Sequence, residues 1–129
     1  MRKGNPDADT TGPIRPLGQS LSDILIGMSD RLNQLMRFYD QDPTDAFCTY
    51  GIAMEHNKVG RHDQAVQWLD RTLEIDPNHA YAHYQKAVAL AEMGQRADAQ
   101  AAIDAGLEAA KRSGDAHAAE ELAALAKTM

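Results

Sequence analysis

The sequence predicts an all-α protein built as a short stack of antiparallel helix pairs. Three observations carry this. A shift of 34 residues lays part of the chain over itself without a gap. Within each copy, apolar residues recur at helical spacing and are interrupted by Gly or by Asp-Pro. Aromatic residues make up only 5% of the chain, Ala, Leu and Met are plentiful, and long β-branched runs are absent, which favours helix over sheet.

The shift places Asp42-Pro43 on Asp76-Pro77, Ala46 on Ala80, Tyr50 on Tyr84, Ala53 on Ala87 and Gly60 on Gly94. It also places Ala65 on Ala99, Asp70 on Asp104 and Leu73-Glu74 on Leu107-Glu108. Alanine matches arise easily by chance, but matches at Pro, Gly and Tyr do not. A period of this size marks a repeat architecture.

Each copy reads as two helices. The first runs from about Asp45 to Val59, with Thr44 as N-cap and Gly60 as its stop. The second runs from about His62 to Ile75 and ends at Asp76-Pro77-Asn78, because the residue before a proline avoids the helical region. In the second copy the helices run from Ala80 to Met93 and from Arg96 to Arg112, with Gly94 between them and Ser113-Gly114 at the end. A last helix starts at the N-cap Asp115, runs to about Lys127, and turns Ala116, Ala119, Leu122, Ala123 and Ala126 towards the stack as a cap.

This pattern resembles the tetratricopeptide repeat family, over residues 42–112. The spaced small and large residues that carry the likeness are Thr49, Ile52, Ala53, His56, Ala65, Leu69 and Pro77 in the first copy. In the second they are His83, Lys86, Ala87, Leu90, Ala99 and Ile103. Thr49 and His83 stand where the family has Trp, and Lys86 where it has an apolar residue. The resemblance implies a right-handed α-solenoid and a function in binding protein or peptide, without catalysis or cofactor. The expected organisation is a disordered tail over 1–18, an amphipathic helix within 19–41, two repeats over 42–114 and a capping helix over 115–129.

The first helix of each copy has large apolar residues on two opposite sides. Thr49, Ile52, Ala53 and His56 lie on one side, and Phe47, Tyr50, Met54 and Lys58 on the other. His83, Ala87 and Leu90 likewise oppose Tyr81, Tyr84, Val88 and Glu92. The resemblance places Phe47, Tyr50, Met54, Tyr81, Tyr84 and Val88 on a concave groove. Tyr and Phe offer much contact area at low entropic cost, and Met adapts to shape. A second reading stays open, in which these residues are core covered by the chain's own N-terminal helix. A carboxylate clamp of Lys, Arg and Asn is not expected, because those places hold Tyr and apolar residues.

Residues 21–39 form a further amphipathic pattern, with Leu21, Leu25, Met28, Leu32, Leu35 and Tyr39 spaced alternately by four and three. So much apolar area must be buried. Either the helix packs on the open end of the stack, or Leu21, Leu25, Met28 and Leu32 drive self-association into a homo-oligomer or larger assembly.

The formal net charge is −6: residues 1–41 balance, 42–114 carry −4 and 115–129 carry −2. Without a basic stripe, neither nucleic acid nor an anionic membrane surface is an expected partner. No stretch is apolar enough for a secretory leader or a membrane span, and the single Cys48 cannot close an internal disulfide, so a cytoplasmic setting is expected. His79 and His83 are four apart on one helix, yet no third ligand accompanies them, so no metal is expected. Cys48 has no nucleophile motif around it and reads as a small buried apolar residue.

Overall fold

A computed structural model describes residues 30–129. Over these residues the chain is all-α. Its helices are α1 (Asp30–Gln41), α2 (Ala46–Lys58), α3 (His62–Ile75), α4 (Ala80–Glu92), α5 (Arg96–Ser113) and α6 (Ala116–Lys127). The expectations for residues 1–18 and for Leu21, Leu25 and Met28 lie outside the described residues.

The helix boundaries follow local chemistry. The cap of α2 is Asp45, not Thr44: its carboxylate accepts the Phe47 N–H at 3.0 Å. Thr44 instead donates from its N–H and hydroxyl to Asp42 Oδ1, at 3.1 and 2.6 Å. These two bonds hold the Asp42 carboxyl below its ordinary range. The second copy repeats the device. Asp76 Oδ1 accepts the Asn78 N–H, and His79 caps α4 by accepting the Ala82 N–H on Nδ1 at 3.1 Å. Gly60 and Gly94, with φ of +81° and +78°, take the left-handed turn between paired helices that other residues adopt at a cost.

Consecutive helices pack pairwise, and α2, α4 and α6 also touch one another in that order. Among the described residues, the backbones of α1, α3 and α5 come close only to those of their neighbours in the chain. The layer of α2, α4 and α6 is therefore the inner, closely spaced one, and α1, α3 and α5 splay apart behind it. Small residues permit the close crossings: Ala53, Ala65, Ala87 and Ala99 are fully buried.

The described part of the N-terminal helix caps the stack. Leu32 and Leu35 are buried with Cys48, Ile52 and Leu69, leaving Leu32 only 1% exposed. The packing partner of Leu32 is thus this chain's own core. Arg31, which falls where Ala65 stands one repeat later, reaches the buried carboxylate of Glu55 at 3.7 Å, and Lys58 reaches the same oxygen at 3.3 Å. Side chains also fasten α1 to α3. Tyr39 meets Trp68 edge-on at 4.8 Å, and the Arg71 guanidinium lies 4.5 Å from the Trp68 ring centre. Cys48 is buried, and its thiol donates to the Leu35 carbonyl.

At the other end, α6 buries Ala118 and Leu122 and half-buries Ala119 and Ala126. Ala116 and Ala123, expected on its packed side, are exposed. Their counterparts 36 positions earlier, Ala80 and Ala87, are buried against α5, whereas no further helix follows α6 among the described residues.

The positions that depart from the family pattern are compensated by local partners. Thr49 and Thr72, both fully buried, share a 2.7 Å hydroxyl contact across α2 and α3. In the second copy His83 packs over Gly106, the residue 34 positions after Thr72. Lys86 reaches back to Asp70 of α3 at 2.7 Å, linking the two repeats. That pair is partly exposed, so a double-mutant cycle on Lys86→Ala and Asp70→Ala is expected to show a coupling of about 0.2–1 kcal/mol by urea unfolding, shrinking in high salt.

Candidate functional site

The inner layer presents one face built from corresponding positions of successive helices. Its α2 row is Phe47, Tyr50 and Met54, and its α4 row is Tyr81, Tyr84 and Val88. Phe47 is 71% exposed, and the other five are half-buried. The three tyrosines are half-buried because each packs its base on a different part of the core. Tyr50 rests on the cluster around Ile52 and Leu69, Tyr84 on the cluster around Leu90 and Ile103, and Tyr81 on Ala80, Ala110 and Ala118.

Tyr81 and Tyr84 are joined, with ring centres 6.5 Å apart and planes at 61°. Tyr50 is linked to them through His79 and Gln85. It stacks on His79 at 4.7 Å, and burial pushes its hydroxyl above the ordinary range, partly offset by a hydrogen bond from Gln85. Phe47 stands out into solvent at the start of α2.

α1, the described part of the helix that could have covered this face, lies against α2, meets α3 through Tyr39 and Trp68, and buries its Leu32 and Leu35 in the core behind the inner layer.

The sequence reading missed His79 and His117. His79 was weighed only as a metal ligand, whereas its Nδ1 caps α4 and its ring carries Tyr50. His117 lies 6.3 Å from Tyr81 and extends the aromatic row onto α6. It was hidden because α6 follows α4 by 36 positions rather than 34. The cap Asp115, which answers to His79 and Asp45, was the signal that resets the register.

Among the described residues, no three His, Cys, Asp or Glu side chains cluster to hold a metal ion, and no helix is long and apolar enough to cross a membrane. His83 points its Nε2 at the Pro77 carbonyl, 3.3 Å away.

The tetratricopeptide repeat profile matches residues 57–125, from the end of α2 through α6. The chain belongs to the tetratricopeptide repeat family. Repeats of this family mediate protein–protein interaction. Over 59 residues, or 46% of this chain, it is 39% identical to the tetratricopeptide repeat and J domain-containing co-chaperone DNJ1 of Cryptococcus neoformans var. grubii. Over 67 residues, or 52% of this chain, it is 25% identical to Superkiller protein 3 of Saccharomyces cerevisiae. These matches cover only 11% and 5% of those much longer proteins.

Among solved structures, the tetratricopeptide protein YrrB, described as having an unusual peptide-binding site, superposes with a TM-score of 0.64 at 26% identity. The match covers 76% of this chain and 47% of that one. MamA superposes with a TM-score of 0.61 at 21% identity, over 66% of this chain and 46% of its own, which speaks for the fold alone.

Proposed function

We propose that this protein is an interaction module that binds a peptide or partner helix on the inner face of α2, α4 and α6, across Phe47, Tyr50, Met54, Tyr81, Tyr84 and Val88. The observation that carries the reading is Phe47. A phenylalanine left 71% exposed, in the same helical row as half-buried Tyr50 and Met54, is the kind of exposed apolar residue found at binding sites. The same positions are filled in kind in both repeats, so the surface follows the repeat and not one local accident. Tyrosine is suited to such a surface, since its ring gives contact area and its hydroxyl stays satisfied at the wet edge.

The test uses two substitutions chosen for their surroundings. Phe47→Ala removes a ring that contributes little to the core, and Tyr84→Ala removes the middle of the α4 row. The double variant is expected to keep its helical circular dichroism and to lose capture of its partner in a pull-down from the native source. Capture equal to wild type would overturn the groove reading.

A further inference from the structure

The inner face is not electrically even. Its α2 side is closed off: Lys58 is bound to Glu55, and Met54 and Tyr50 continue the row as uncharged groups. Its α6 side is acidic. In register, His117, Glu120 and Ala124 of α6 answer to Tyr81, Tyr84 and Val88 of α4, so Glu120 holds the position of Tyr84 one helix on. Glu120 and Glu121 are both exposed, and neither lies within ion-pair distance of a described basic residue. Asp115, the cap of α6, adds a third carboxylate at the end nearest Tyr81.

The charges of Asp115 and Glu121 act on Tyr81. Ionisation of the Tyr81 hydroxyl is pushed up by desolvation first, and then by the negative charges of Asp115 and Glu121. No described cation forms a salt bridge with these carboxylates. Arg112 donates from Nε to Asn78 at 2.8 Å, and Lys127 lies seven residues beyond Glu120, about 10 Å along the helix. Tyr81 thus sits in the middle of a row of rings, with Tyr84 at 6.5 Å and His117 at 6.3 Å, beside uncompensated carboxylates. Ring faces and carboxylates attract the same ligand chemistry, a side-chain cation.

We propose that Glu120 and Glu121, beside the rings of Tyr81, Tyr84 and His117, make this face select a partner segment in which a Lys or Arg lies within a few residues of apolar side chains. The cation sits over the α4–α6 edge and the apolar residues lie along Tyr50, Met54 and Val88. Helix axes in contact are 8–10 Å apart, so the path from α6 to α2 is about 20 Å, which roughly six extended residues span. This proposal rests on the groove reading above and adds the chemistry of the occupant.

The experiment is selection of a random dodecapeptide display library on the full chain, with two control proteins. One carries Tyr81→Ala and Tyr84→Ala, the other Glu120→Lys and Glu121→Lys. Both glutamates are exposed, and circular dichroism checks each fold. The wild-type pool is expected to be rich in apolar residues, with Lys plus Arg exceeding Asp plus Glu roughly tenfold. The Glu120→Lys, Glu121→Lys protein is expected to keep the apolar enrichment and lose the basic excess.

An apolar pool without basic excess overturns this proposal and leaves the groove reading standing. So does a basic excess that survives Glu120→Lys, Glu121→Lys, since it then does not come from these two carboxylates. A wild-type pool no richer than that of the Tyr81→Ala, Tyr84→Ala control means the face is closed to added peptides, filled by this chain's residues 1–29 or by a second copy. That result overturns both readings.

Discussion

Between pH 7 and pH 4 the wild-type protein is expected to lose about 3 kcal/mol more stability than a His56→Leu variant, read from urea unfolding at each pH. His56 is 1% exposed between α2 and its neighbours, and neither ring nitrogen has a hydrogen-bond partner among the protein groups. Burial in these surroundings, reinforced by the charge of Arg61, lowers its pKa from 6.5 to about 4, against smaller opposing effects of Asp63 and Glu55.

The sign follows from which state takes the proton first. Above 6.5 neither state is protonated and the contribution of His56 to stability is intact. As the pH falls towards 4 the unfolded chain binds a proton that the folded chain refuses, so unfolding becomes easier. Leucine is the natural comparison, because Leu90 occupies the corresponding place in the second repeat and is likewise buried. It fills the site and cannot titrate. Carboxylates titrating near pH 4 act in both proteins and cancel. Parallel loss of stability in the two proteins would show that His56 is not held neutral in the fold.

Gly106→Thr is expected to lower stability by about 1–3 kcal/mol, or roughly 5–20 °C in Tm, although it replaces a glycine inside a helix. Substituting glycine there would ordinarily help, because glycine is the poorest helix former after proline. Here a Cβ on residue 106 would stand 2.8 Å from the Cβ of His83 and 3.0 Å from both terminal carbons of Leu122. The leucine tips can rotate away, but the His83 Cβ is fixed to the backbone of α4 and cannot.

Threonine is the informative replacement because the first repeat has Thr72 at the equivalent position, where it bonds Thr49 in place of a histidine. The pairs Thr49–Thr72 and His83–Gly106 are two solutions to one helix contact. Exchanging both partners, His83→Thr with Gly106→Thr, should therefore recover at least half of the loss in thermal unfolding. Additive destabilisation in the double variant would refute the idea of a matched pair.

The parts of this protein that were legible in the sequence are those fixed by short-range chemistry. The helix α3 was read to its exact ends, His62 and Ile75, because Asp-Pro stops one end and a glycine turn precedes the other. The start of α6 at Asp115 was equally plain, since a capping carboxylate satisfies backbone donors within three residues. The cap of α2 was misplaced by one residue because Thr44 and Asp45 are both good caps, and only the Asp42 turn decides between them. The aromatic rows on α2 and α4 were visible from helical periodicity, and the resemblance to the tetratricopeptide repeat placed them on one face.

The 34-residue period by itself determined the fold class, the helix pairing and the small residues at each crossing, because a repeat imposes the same backbone geometry wherever it recurs. The tertiary structure alone decided what breaks the period. It showed that the extra turn of α5 and the shorter connection after it shift α6 by two positions, and that His117 meets Tyr81. It showed that His79 caps α4 and supports Tyr50, that Leu32 is buried in the stack, and that Lys86 is answered by Asp70. Each of these is a contact between residues many positions apart, governed by how far one helix rotates and slides against the next. Periodicity fixes which side of a helix a residue occupies, but only packing fixes what it meets there.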